Sequence, residues 1–244
     1  ITQSIEDYTK SKDDKLGWLP KIPDIDKYGA RIVKDYSNYN KNCIEVYGDS
    51  FTESTDVSFE NSWPSFLSEQ LNCRVLNFGV AGYGTDQAFL RYLYNEKYTN
   101  IVIINHFSEN IVRNINQFRN LLYPTGQIAL KPRFILNNKN LELIPTPKIK
   151  NLKKNEIVKA LKHEYFLPNS ETGILNELKY SYIIDLYNIL TKHHKFKAKL
   201  KRMPHSMQFY KKNHKSMGLQ VTFEILKKFH KTTLQQNQLP IITI

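Results

Sequence analysis

The chain has 244 residues, 41% of them hydrophobic, enough to bury one substantial core. Its formal net charge of +12, from 35 Lys plus Arg against 23 Asp plus Glu, would draw in an anionic substrate or polymer. No zinc-finger spacing, RNA-binding aromatic motif or basic zipper accompanies that charge, and the lysines of KIKNLKKNEIVKALKH and KFKAKLKRMPH are mixed with apolar residues, so they read as solvated surface and no nucleic-acid partner is expected.

Residues 1–40 are polar and turn-rich and read as an extended lead-in packed on the domain that follows, 41–244. CIEVY from Cys43 is the first strand. SWPSFLSEQL, Ser62 to Leu71, is a helix that tolerates Pro64 in its first turn. CRVLNF from Cys73 is the second strand, and TDQAFLRYLYNEKY a helix capped by Thr85. IVIINHF, Ile101 to Phe107, is almost wholly apolar, as suits a strand covered on both faces. The rhythm then breaks over an insertion at about 112–170, in which RFILNNKNLELIP reads as a hairpin. Leaving the carboxyl end of the third strand, that insertion is a candidate lid. Helical patterns return over 175–194 and in VTFEILKKFHKTTLQQ, and LPIITI reads as a buried fourth strand.

Cys43 and Cys73 each begin a strand. Neighbouring parallel strands would permit a disulfide, but buried free thiols are the expectation. No run of 18 apolar residues spans a membrane. The chain begins at Ile1 without a methionine, which leaves room for an upstream signal or anchor and leaves cytoplasmic and exported locations both open.

The first strand delivers Ser50 into a glycine-preceded turn, where a parallel-sheet hydrolase keeps its nucleophile. A serine hydroxyl needs a base to take its proton and donors for the developing oxyanion. The Ser50 backbone N–H is one candidate donor. Gly82 brings its own N–H close because it has no side chain, and Asn110 offers a side-chain amide. Each follows a different strand, and parallel strands put those ends on one rim. Asp49, next to the nucleophile, is read as tying its loop to backbone N–H groups, and Asp86 and Gln87 as opening the second helix. The chemistry requires no metal or organic cofactor.

GDSFTES at 48–54, N-x-G-x-x-G from Asn77 to Gly82 and Asn110 resemble the first three blocks of the SGNH (GDSL-type) hydrolases, in particular bacterial members with an LGW-x-x-K-P lead-in and an NFG-x-x-GYGTDQ block; here these read LGWLPKIP and NFGVAGYGTDQ. The resemblance covers about 15–115. It implies a flavodoxin-like three-layer α/β sandwich with a parallel sheet, an esterase or acyl-hydrolase activity, Ser50 as nucleophile, and Gly82 with Asn110 as oxyanion donors.

Two departures stand out. Ile111 follows Asn110 where the family usually has Asp. The family takes its base from a late D-x-x-H, but no Asp follows Asp185 and no His has Asp three residues before it. The expectation is a sandwich incomplete at the C-terminus, with Ile244 internal to a longer protein that carries the catalytic Asp and His. His205 is a candidate substitute base, His106 a supporting residue at the rim, and His193 and His194 follow a helix they would cap. The substrate expected is an ester-bearing small molecule or an O-acetylated carbohydrate. Polysaccharide O-acetyl transfer or removal, and a non-catalytic SGNH-like binding domain, are the alternatives.

Overall fold

The computed structural model describes residues 4–21, 25–31, 39, 41–123, 126–149, 154–167 and 205–244. The helix expected over 175–194, with His193 and His194, lies outside the described residues. The chain runs α1 (Ile5–Ser11), β1 (Asn42–Tyr47), α2 (Ser50–Glu53), α3 (Trp63–Leu71), β2 (Arg74–Asn77), α4 (Thr85–Tyr94), β3 (Ile101–Asn105), α5 (Asn110–Asn114), β4 (Arg133–Asn137), β5 (Asn140–Ile144), α6 (Lys154–Ala160), α7 (Gly218–Gln235) and β6 (Leu239–Thr243). It forms two compact units, Ile1–Trp18 with Ile111–Val221 and Leu19–Asn110 with Thr222–Ile244.

The unit containing Leu19–Asn110 holds a four-stranded parallel sheet in the order β2-β1-β3-β6, with helices on both faces: an α/β, flavodoxin-like arrangement. Side-chain alternation along β1 makes the two faces. Ile44 and Val46 join Val75 and Ile103 against Trp63 and Leu67 of α3. On the other face the Tyr47 ring stacks on Phe78 at 5.0 Å and meets the edge of Tyr92 at 5.6 Å. Phe229 of α7 closes that layer edge-on against Phe89 and Tyr92 of α4. Pro64 sits at the start of α3, where a helix loses nothing by lacking an N–H, and Asn72 ends it in the left-handed region at φ 48°. Register puts Val46 beside Asn77 and Ile103, and Ile103 beside Ile241, so all four strands reach one carboxyl rim together.

At the amino end of the sheet the structure overturns one expectation. Cys43 and Cys73 are disulfide-bonded, not free, with Cα atoms 5.9 Å apart. The cause is local: the β1–β2 register shifts between Asn42 and Ile44, and that irregularity sets Cys43 beside Cys73. A second correction concerns α4, where Gly84 and not Thr85 is the cap, the Gln87 side chain accepting from the Gly84 N–H at 3.4 Å. The Thr85 hydroxyl is engaged elsewhere, by His106.

In the other unit the lead-in opens with a helix instead of extended chain. The Ser4 hydroxyl accepts from the Asp7 N–H at 3.1 Å, the first half of a capping box, and Glu6 pairs with Lys10 one turn on. The expected hairpin forms as β4 and β5, turning on Asn138 and Lys139 at φ 48° and 66°. Tyr8 of α1 packs with Phe118, Leu130 and Leu161. The fully buried Glu164 accepts from the N–H groups of Gln117, Phe118 and Phe166, which organises the loop after α5. No helix among the described residues is long and apolar enough to cross a membrane.

Candidate active site

The site begins where β1 ends. Gly48 passes so close to its neighbours that a Cβ there would lie 2.0 Å from Thr52 Oγ1 and 3.0 Å from the Asn105 Cβ, so the turn is open only to glycine. Asp49 then caps α2, its side chain accepting from the Phe51 N–H at 2.9 Å and its carbonyl from the Glu53 N–H at 2.9 Å. Ser50 is thereby the first residue of α2. It is half-exposed, opening onto a shallow pocket of about 180 Å³ lined by Ser50, Phe51, Ser54, Asp56 and Val57.

The loop after β2 is lashed to that helix. Asn77 Nδ2 donates to the Thr52 carbonyl at 2.7 Å, and the Ala81 N–H donates to the Glu53 carboxylate at 2.8 Å. Gly79 nests so tightly that a Cβ would meet the Glu53 nitrogen at 2.2 Å. Gly82, next to the anchored Ala81, is buried and adopts φ +84°, in the left-handed region that favours glycine. Burial pushes the Glu53 carboxyl up, against the opposing pull of the Ala81 N–H. Arg31 completes the lashing by donating to the carbonyls of Glu53, Ser54 and Val57 at 2.6, 2.7 and 3.2 Å.

On the other side, the segment after β3 reaches α2 through side chains. Asn105 Nδ2 donates to Thr52 Oγ1 at 3.2 Å, and Thr243 Oγ1 donates to Asn105 Oδ1. Phe107 lays its ring against Phe51 with centroids 4.3 Å apart. Asn110 is buried, and its N–H closes a turn onto the Phe107 carbonyl at 2.8 Å. Ser50, Gly82 and Asn110 therefore stand beyond the carboxyl ends of β1, β2 and β3, on segments tied to one short helix.

His106 is buried at the same rim. Its Nδ1 lies 2.7 Å from Thr85 Oγ1, its backbone N–H donates to the Thr243 carbonyl at 2.9 Å, and burial pushes its pKa down to about 4. It pins the start of α4 to β3. His205 opens a 3-10 turn, His205–Tyr210, within the residues of the other unit, and its side chain lies outside the described residues. Among the described residues no group of three His, Cys, Asp or Glu could hold a metal ion.

Sequence reasoning missed Glu53, Arg31, Thr52, Asn105 and the Phe51–Phe107 pair. Glu53 had a signal, being the glutamate of GDSFTES, but its partner at Ala81 is 28 residues away.

No protein-family model matches the chain, and no curated protein matches it. Among solved structures it is similar to AlinE4, an SGNH-hydrolase family esterase, at 22% identity over 30% of this chain and 43% of that one, with a TM-score of 0.27. It is similar to a protein of Desulfitobacterium hafniense DCB-2 described as lipolytic and of the G-D-S-L family, at 23% identity over 32% and 45%, TM-score 0.28. It is also similar to an acetyl xylan esterase from the rumen bacterium Butyrivibrio proteoclasticus, at 13% identity over 87% and 56%, TM-score 0.29. The match spans less than half the length of the first two. At these values the likeness carries no functional argument, which rests on the rim.

Proposed function

We propose that the chain is a serine ester hydrolase of SGNH type. The observation that carries this reading is a half-exposed Ser50 at the carboxyl rim of a parallel sheet, opening onto a pocket, with the loops from both neighbouring strands tied to its helix. Such a rim is where open α/β sheets bind ligands.

In this reading Ser50 Oγ attacks the ester carbonyl and gives up its proton to a general base. The carbonyl oxygen becomes an oxyanion, met by the N–H groups of Ser50 and Gly82 and by the Asn110 side-chain amide. Collapse expels the alcohol with a returned proton, leaving an acyl group on Ser50 that water removes. Glu53 acts through Ala81 to hold the Gly82 loop against α2. The base must have a pKa near the working pH. His106, at about 4 and bonded to Thr85, is poorly matched to that task and is a positioning residue.

The test is turnover of p-nitrophenyl esters by the full-length protein, with covalent labelling by a fluorophosphonate. Labelling of the Ser50 peptide, with turnover lost in Ser50→Ala, is expected. Equal turnover in Ser50→Ala refutes the reading. Acetate release that rises with added sugar acceptor would move it to acetyl transfer.

A further inference from the structure

From the pocket at Ser50 we infer a binding subsite for a short acyl chain, walled by Phe51 and Val57, with Phe107 holding the Phe51 ring in place; this rests on the hydrolase reading. After Ser50 attacks, the acyl group is the part of the ester that stays, and the pocket that Ser50 lines offers its chain a place to lie. That space measures about 180 Å³, below the roughly 300–1,000 Å³ of pockets that take drug-sized ligands, so it admits a chain of a few carbons.

The lining is suited to such a chain. Phe51 and Val57 are 57% and 44% exposed, large apolar side chains left in water beside a candidate nucleophile. The Ser54 hydroxyl is turned to the Phe51 carbonyl, to which it donates at 2.8 Å, and the exposed Asp56 carboxylate at the edge disfavours an anionic acyl group. Phe107, itself 37% exposed, rests on the Phe51 ring, and Trp63 Nε1 donates to the Phe51 carbonyl at 3.0 Å. Arg31 fixes the opposite wall through the carbonyls of Ser54 and Val57. Both walls are held before any ligand arrives, which is what a size-selective pocket needs.

The experiment is kcat/KM for p-nitrophenyl acetate, butyrate, hexanoate and decanoate with the full-length protein. Wild-type preference is expected at acetate or butyrate. Val57→Trp fills the pocket and lowers butyrate relative to acetate by about ten-fold or more, the scale on which a hydrophobic pocket weighs a methylene. Phe51→Ala opens it and raises decanoate relative to butyrate by a similar factor, with Phe107→Ala moving the ratio the same way but less. A chain-length profile unchanged within two-fold in Val57→Trp and Phe51→Ala, while Ser50-dependent turnover persists, overturns the subsite and leaves the hydrolase reading standing. No Ser50-dependent turnover of any ester overturns both.

Discussion

The two ends of the parallel sheet both bury polar groups, but they use them differently. At the amino end Glu45 is completely enclosed, and its carboxylate accepts from the Tyr47 hydroxyl, the N–H groups of Tyr98 and Thr99, and the Thr99 hydroxyl at 2.7–3.3 Å. The Cys43–Cys73 bond closes the same end covalently. At the carboxyl end a comparable set, Asn77, Thr52, Asn105, Thr243 and Glu53, is spent on holding loops around Ser50, and exposed aromatic surface remains beside it. One end is closed for stability. The other leaves the Ser50 residue and apolar surface in contact with water, a combination that costs stability and suits a binding site.

If that division is right, the largest change in activity comes from an atom that does nothing for the fold. Ser50→Ala should lower ester turnover by at least about 10³-fold, with a thermal midpoint near wild type. A large fall in the midpoint would make Ser50 structural and erase the contrast. The reverse pattern belongs to the amino end. Replacing both cysteines by serine opens a loop with 30 residues of separation, which in the chain-entropy account costs about 3–4 kcal/mol of stability. Turnover measured well below the midpoint should be unchanged. Loss of turnover in the folded variant would show the two ends to be coupled.

Asn110 sharpens the comparison within the rim. Asn110→Ala should cost about 3 kcal/mol of transition-state stabilisation, appearing in kcat with KM nearly unchanged. A rise in KM at constant kcat would make Asn110 a substrate-binding residue and remove it from the oxyanion site.

The same contrast explains what was legible in the sequence. Strands β1, β2, β3 and β6 and helices α3, α4 and α7 each announce themselves by a short periodic pattern with a capping or breaking residue close by. GDSFTES and NFGVAGYGTDQ locate Ser50 and its flanking loop because the glycines are forced by close approach, of the Thr52 and Asn105 side chains at Gly48 and of the α2 backbone at Gly79. What was not legible depends on pairs distant in sequence. Whether Cys43 meets Cys73 turns on a register irregularity in β1. The Phe51–Phe107 and Arg31–Glu53 contacts become predictable only when sheet order is known. The Thr85 hydroxyl was assigned to its own helix because local capping is the commonest use of a threonine there, whereas β3 brings His106 to it. The grouping of Ile1–Trp18 with Ile111–Val221 has no local signal at all.

That histidine supplies the smallest test. Burial lowers its pKa from 6.5 to about 4, so between those values the unfolded chain binds a proton that the folded chain does not. Stability from this group is therefore complete above pH 6.5 and is lost as the pH falls toward 4, by at most about 3 kcal/mol. Glu53 and Glu164, whose carboxyls burial pushes up, tilt the other way, since each is stabilising below its unfolded value and loses that contribution as the pH rises. Only a difference between variants isolates the histidine. His106→Asn keeps a hydrogen-bonding group close to Thr85 and does not titrate, so denaturant melts from pH 7 to 4 should show a shallower acid loss than wild type. Identical slopes would mean that His106 takes up its proton equally in the folded and unfolded states, so that burial at the rim does not hold it neutral.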